Sequence, residues 1–510
     1  MVDDPPPPSN SNRGGNGSRK GGVNPILLLF LPTLLKWLFK RPKFLLVLLA
    51  LGAGWYFFGG SFSGNEVTDS SDENALATGL NMDAEVYAQS EIFEPLAVSS
   101  KNGRPSRVSL EKYCPKRGNQ GSQGSCVGWS SSYAARTIMH SRATGQNGNV
   151  VAFSPASLYN QISLPNCQGA YIHNAMDVMK QRGVLPWNDF GYNENDCDTK
   201  PSRAQLNKAS QYKTRGFQRL WETQGESDIE AIKQNIAQGA PVVIGIMVGG
   251  SFMTAMRGQK LWEPTRRDYN QGGFGGHAMC VMGYDDNYAG GALQIMNSWG
   301  EDWGDRGFCW IRYKDFEHFN KEAYGLYPMG NAEKQDPTKL AVEFGLVFNE
   351  NGQNMNMQQV SGNLFRNVNK IAKGTRFKVE VTNSIECFTY VFGQELNGSS
   401  YVLFPYTSKH SPYCGITGTR LFPRGQSLMA DADGNRDHMV VVVSKVELNW
   451  NELNSAINAA PGTYQQKVNT ALSSVQISNP QFTSGNTIRF NANITDKKAV
   501  AMVFEIDKMP

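Results

Sequence analysis

The spacing of apolar positions changes several times along the chain. Two continuous apolar runs come first, Ile26 to Phe39 and Phe44 to Phe62, separated by Lys40, Arg41, Pro42 and Lys43. Only the second is free of charge for long enough to cross a hydrocarbon core of roughly 30 Å. Past the polar, acidic stretch 63–103 the pattern becomes helical. In "CVGWSSSYAARTIMHSRATG", Val127, Ala134 and Ile138 recur at helical spacing and Gly145 marks the end, which puts Cys126 in a first turn. "SPASLYNQI" predicts a second helix, with Pro155 at its first position after Ser154, and "AYIHNAMDVMKQRG" a third, ending at Gly183. "SDIEAIKQNIAQG" predicts a fourth, opened by a Ser227 to Glu230 capping box.

The period then shifts to that of strands: Val242 to Val248, "HAMCVMGYDD", "ALQIMNSW" and "GFCWIRY", separated by Gly and Asp turns. From about residue 335 come short aromatic-rich strands, "RFKVEVT", "CFTYVFG", "SSYVLFPY", "HMVVVVSK", "NTIRFNANI" and "AVAMVFEI", interrupted by a helical interval from Trp450 to Val475. The order predicts an α+β domain of two lobes with a cleft, over residues 104–330, and a mostly-β region over 335–510 forming one domain or two small ones.

Length supports this division, since 510 residues exceed a single ordinary core. The first 25 residues contain Pro, Gly, Ser and Asn with almost nothing apolar, the composition of a disordered tail. Arg13, Arg19, Lys20, Lys36, Lys40, Arg41 and Lys43 precede the second apolar run, and Glu66, Asp69, Asp72 and Glu73 follow it. The excess of positive charge on one side predicts a single-pass anchor with a cytoplasmic N-terminus and everything after residue 62 outside. A cleaved signal peptide is the alternative, although "WYFFGGSFSG" lacks an A-x-A site. The first run lies in the interface or forms a hairpin with the second. A net charge of +4 without a basic face speaks against nucleic-acid partners.

Eight cysteines in an exported chain invite full pairing, which makes a disulfide the first reading of Cys126. A helix start favours a thiolate, however, and a nucleophile needs a histidine nearby. Of six histidines, His277 is set apart by the glycine-rich "QGGFGGHAMCVMGYDD", which allows close approach of another element. Asn297, Trp299 and Trp303 follow in "NSWGEDWGDRGFCWIRY"; an asparagine there can orient the imidazole, and a tryptophan can exclude water from that contact.

The segments "NQGSQGSCVGWS", "GGHAMCVMGYDD" and "LQIMNSWGEDWGDRGFCWIRY" resemble the three signature segments of papain-like cysteine peptidases, in order and at similar separations. The resemblance covers about Arg104 to Tyr327. It implies a papain-like domain with a helical lobe and a β-barrel-like lobe, and peptide-bond hydrolysis on a peptide or protein substrate. Cys126 matches the nucleophile, His277 the base and acid, Asn297 the orienting residue, and Gln120 the oxyanion amide. Trp299 matches the shielding tryptophan, and Cys126 and His277 would rest as thiolate and imidazolium. Neither metal nor cofactor is implied.

"NCQGAYIHNAM" is similar to the family's cleft-lining backbone; Gly169 is kept and Ala170 replaces a glycine, which puts specificity in doubt. Gln123 stands where many members carry a half-cystine, and Val127 where an aromatic is usual. Cys167 and Cys197 fall where the family places a disulfide; Cys387 and Cys414 are a second candidate pair, while Cys280 and Cys309 read as core residues. The family's long helical pro-segment is missing from 63–103, so control differs or that stretch blocks the cleft as an extended strap. The C-terminal part resembles an accessory β domain attached to bacterial peptidases, with a spacing role or a docking role open. The expectation is a membrane-anchored bacterial cysteine endopeptidase; the alternatives are an idle peptide-binding or envelope-assembly scaffold, or the same residues used for acyl transfer or on a non-peptide amide.

Overall fold

The computed structural model describes residues 76–97, 103–327, 338–494 and 496–510. The disordered tail, both apolar runs and the membrane orientation expected from them lie outside the described residues. Among the described residues no helix is long and apolar enough to cross a membrane.

The helical lobe is built around the segment that starts at Cys126. Cys126–Gly128 is α-helical, Trp129–Arg136 is wound as a π-helix, and Thr137–Thr144 returns to α before Gly145 ends it at φ +71°. Every residue from Cys126 to Met139 is buried. The small residues of "GWSSSYAA" let neighbouring backbone close in: a Cβ on Gly128 would lie 2.7 Å from the Pro155 carbonyl. Helix Pro155–Ile162, capped by Ser154, and helix Ile172–Gln181 pack beside it. Cys167 and Cys197 form a disulfide.

Helix Ile229–Ala237 differs from expectation at its start. Asp228, not Ser227, caps it, with its carboxylate accepting from the Ala231 N–H at 3.0 Å. Glu230 is held instead by Arg104 and Lys233, so it is not free to complete a capping box, and a carboxylate at the cap also suits the helix dipole.

The second lobe is a sheet whose strands run in the order His410–Ser411, Ile92–Phe93, Gly216–Arg219, Asn320–Tyr327, Val242–Val248, Gly275–Asp285, Ala292–Met296 and Phe308–Arg312, with Arg107–Ser109 added on Gly275–Asp285. Its order is linear, and among the described strands no pairing closes it into a full barrel. Two of its strands also lie outside the span expected for this domain: Ile92–Phe93 comes from the segment before it, and His410–Ser411 from the C-terminal region.

Residues 338–510 form one sandwich rather than two small domains. One sheet centres on Ala499–Asp507 and Arg436–Ser444, the other on Lys339–Phe348 and Arg376–Asn383. A single apolar cluster, including Phe344, Val379, Val441 and Phe504, fills the space between them. Helices Trp450–Ala459 and Tyr464–Ala471 cover the outer face of the first sheet through Leu453, Ile457 and Val468. Lys339–Phe348 was not expected as a strand, because Gly345 to Phe348 break its alternation. Cys387 and Cys414 are cross-strand neighbours but remain free thiols, so the second candidate disulfide is not formed.

Candidate active site

The site lies where three stretches meet. Segments 118–120 and 298–300 are zipped by backbone bonds: Gln120 N–H to Ser298 O (2.9 Å) and Gly300 N–H to Gly118 O (2.9 Å). The Ser298 hydroxyl also donates to Gln120 Oε1 at 2.7 Å. Strand pairing sets Cys280 opposite Met296, so the chain leaving that strand carries Asn297 and Trp299 past His277.

His277 Nε2 and Asn297 Oδ1 are 2.7 Å apart, both residues being buried. The Trp299 ring stacks on the imidazole, with centroids 4.4 Å apart and planes at 21°. Phe252 and Trp303 hold that indole in turn, Trp303 at 5.5 Å and Phe252 at 5.9 Å. The other imidazole nitrogen, Nδ1, has no hydrogen-bond partner.

Cys126 is a free thiol, fully buried, at the first turn of its helix. Its sulfur accepts from the Ala278 N–H at 3.4 Å, which ties the helical lobe to the residue after His277. Burial pushes the Cys126 thiol up to about 12 and the His277 imidazole down to about 4, the Asn297 contact opposing the latter only in part. Both groups are therefore neutral in this state. The resting thiolate and imidazolium pair expected from the resemblance is not what this arrangement favours, because both groups are buried and burial penalises either charge.

Gln120 is buried with one amide hydrogen given to the Gln123 carbonyl at 2.8 Å. An amide nitrogen carries two hydrogens, so a second donor remains. Tyr192 supports this loop: its hydroxyl donates to Gln120 O and contacts Ser125 Oγ, each at 2.7 Å. Gln123 is buried and neither of its side-chain amide atoms has a partner.

The groove beside Cys126 is filled by the chain's own residues 77–82. Leu80 pairs in parallel with Ala170. Ala170 N–H donates to Gly79 O at 2.9 Å, and Asn81 N–H to Ala170 O at 3.0 Å. On the opposite side Leu80 N–H donates to Gly276 O at 3.0 Å. Both polar groups of Ala170 are used, so its methyl group leaves this edge intact. Gly169 is required: it has φ +94°, and a Cβ there would lie 2.2 Å from the Gly79 carbonyl. The side chain of Leu80 lies against Gly245: a Cβ there would meet Leu80 Cδ2 at 2.6 Å, with Glu322 Cβ and Ile172 Cδ1 around the same point. Burial raises the Glu322 carboxyl to about 7, while a hydrogen bond from Gln224 lowers it in part.

The strands and helices thus bring together Gln120, Cys126, Gly169, Ala170, His277, Asn297 and Trp299. Sequence reasoning missed Ser298, Tyr192, Ala278, Gly276 and Gly245, whose roles lie in backbone groups or in contacts between distant segments. Only the adjacency of Ser298 to Asn297 and the glycines before His277 hinted at them.

A buried thiol and a histidine bonded to an asparagine, beside a groove holding extended peptide, define the site of a cysteine peptidase. Residues 107–329 match the papain family cysteine protease model. The chain is 29% identical over 211 residues to a peptidase C1-like protein of Acanthamoeba polyphaga mimivirus, covering 38% of this chain and 64% of the viral protein, just under two thirds of its length. It is 26% identical over 257 residues to cathepsin K of Mus musculus, covering 48% of this chain and 71% of that protein. Among solved structures, xylellain, a cysteine protease from Xylella fastidiosa, aligns with a TM-score of 0.41 at 21% identity, over 50% of this chain and 96% of that one.

Proposed function

We propose that the chain is a cysteine endopeptidase acting through Cys126, His277 and Asn297, anchored to a membrane by the Phe44 to Phe62 run and facing outside the cytoplasm. The observation that carries the catalytic reading is the groove itself. It already binds a peptide, residues 77–82, by backbone hydrogen bonds on both sides next to the thiol.

In the open groove, water and substrate replace the strap and the penalty on charge falls. The Cys126 proton then passes to His277 Nδ1, the unpartnered nitrogen, while Asn297 holds Nε2. The sulfur attacks the scissile carbonyl carbon. The Cys126 N–H and the spare Gln120 amide hydrogen bind the oxyanion, each donor typically worth about 3 kcal/mol of barrier. His277 gives its proton to the leaving amine, and water, deprotonated by His277, releases the acyl group from sulfur. Gly169, Ala170 and Trp299 line the path of the substrate.

A substrate-like epoxide applied to the chain with its strap displaced by Gly79→Val tests this reading. One adduct on Cys126, lost in Cys126→Ala together with peptide hydrolysis, is expected. An adduct elsewhere, or hydrolysis that survives Cys126→Ala, overturns it. No adduct with an intact groove favours the idle scaffold. Protease access to the segment after residue 62 in intact cells tests the orientation; cleavage only after lysis overturns it.

A further inference from the structure

The strap over Cys126 is continued by helix Ala84–Ala88 and then by residues 91–97, which run between the two folded parts of the molecule. Strand Ile92–Phe93 is sandwiched: Ile92 pairs in parallel with Arg219 of the peptidase domain, while Ile92 and Phe93 pair in parallel with His410 and Ser411 of the sandwich. On the peptidase side, Gln218 Oε1 accepts from the Phe93 N–H at 3.1 Å. Gln234 bonds both backbone groups of Leu96, at 3.0 and 3.1 Å. On the sandwich side, Lys409 O accepts from the Ile92 N–H at 2.9 Å and Thr419 O from the Ala97 N–H at 2.8 Å. Arg420 Nε donates to Glu94 O at 2.8 Å, and Lys409 Nζ to Gln89 O at 2.8 Å.

Packing follows the same plan. The Phe93 ring stacks on Tyr327 of the peptidase domain with centroids 4.8 Å apart, and meets Tyr413 of the sandwich edge-on at 5.5 Å. With Leu96, Ala240 and Ile416 they form an apolar cluster separate from both main cores. Residues 91–97 therefore complete one sheet and one core that neither domain completes alone. An isolated two-residue strand has almost no stability of its own, so its order depends on both neighbours. Helix Ala84–Ala88, one and a half turns long, is likewise too short to stand alone.

We propose that the C-terminal sandwich is the lock of the cleft: it grips residues 91–97 against the peptidase domain, and its separation from Ile92–Phe93 lets the 77–82 strap leave Cys126. This rests on reading the groove as the peptidase site, and it gives the sandwich a task in controlling access rather than in spacing or docking. It also accounts for a cover without a long helical pro-segment, since the sandwich supplies the binding surface that such a segment would otherwise bring.

The test uses the chain with two variants outside the catalytic residues. Phe93→Ala removes the shared aromatic contact, and Ile92→Pro removes the N–H given to Lys409 O. Hydrogen exchange of residues 77–82 is followed together with iodoacetamide labelling of Cys126, located by mass spectrometry. Expected is loss of protection at Leu80 and Asn81, some ten residues from the substitutions, with at least tenfold faster labelling of Cys126. Exchange within strand Arg436–Ser444 stays native, which shows that the sandwich remains folded. Faster exchange at 91–97 with unchanged exchange at 77–82 and unchanged labelling in both variants overturns the lock. Opening of the strap without any peptide hydrolysis supports the lock and overturns the peptidase reading, so the two fail separately.

Discussion

The indole N–H of Trp299 donates to the carbonyl of Ala77 at 2.8 Å. The ring that stacks on His277 therefore also holds one end of the segment covering Cys126. Shielding of the imidazole and occlusion of the thiol share one side chain, so displacing the strap changes solvent access to both reacting groups together.

Gly79 is the weak point of that cover. A Cβ there would lie 2.1 Å from the Gly124 carbonyl, a backbone atom that cannot move aside cheaply. Gly79→Val is expected to expel the strap and raise peptide hydrolysis at least tenfold. The pH dependence of labelling checks the cause. With the strap in place, burial holds Cys126 near 12 and His277 near 4, so labelling stays slow at neutral pH and rises only in alkali. In Gly79→Val hydration relieves both shifts, and labelling is expected to be fast already near neutrality. Parallel pH profiles in the two proteins would refute this.

Leu80 marks a pocket for an aliphatic side chain. Its Cδ2 lies 2.6 Å from where a Cβ on Gly245 would be. Gly245→Val in a chain freed of its strap should raise KM at least tenfold for peptides that place leucine there, with a much smaller effect on peptides that place alanine there. A peptide library with one varied position measures both.

Glu94 links stability to pH. Burial raises its carboxyl from about 4.5 to about 7, although Arg424, Arg420 and Tyr406 act to lower it. The folded state thus holds the proton more tightly than the unfolded chain. Its contribution is complete below the unfolded value and is lost as pH rises through about 7, at a cost on the order of 3 kcal/mol. Denaturant titrations at pH 5 and pH 8 should show wild type losing stability at the higher pH, and Glu94→Gln losing clearly less.

The Cys167–Cys197 bond closes a loop of 30 residues and sits beside Gly169. Replacing both cysteines by alanine is expected to lower stability by about 3 to 4 kcal/mol on the chain-entropy estimate. The Ala170 edge would loosen with it. Equilibrium unfolding gives the first quantity, and the exchange rate of the Ala170 amide gives the second.

Local pattern was enough for what depends on neighbours in sequence. The Cys126 helix ending at Gly145, the helix opened by Ser154 and Pro155, and the strand Val242–Val248 follow from caps, glycines and periodicity. The flanks of Cys126, His277 and Asn297 pointed to one site before any distance was available, because a nucleophile, a base and an orienting amide need those residue types. The cap of helix Ile229–Ala237 could not be read this way: Ser227 and Asp228 are both good caps, and the choice fell to Asp228 once Arg104 and Lys233 had drawn Glu230 away.

Tertiary structure alone decided the rest. Residues 76–97 are too short and too weakly patterned to fold by themselves; they are ordered by backbone groups of Ala170, Gly276, Lys409 and Thr419, which come from four distant stretches. Backbone hydrogen bonds carry no mark in the side-chain sequence, so an extended strap was one of two alternatives there, and neither its register on Ala170 and Gly276 nor its grip by the sandwich was legible. The charge state of Cys126 and His277 belongs to the same class. The sequence by itself determined which groups can exchange a proton, while their burial in the folded chain holds the Cys126 thiol up and the His277 imidazole down, so that both are neutral.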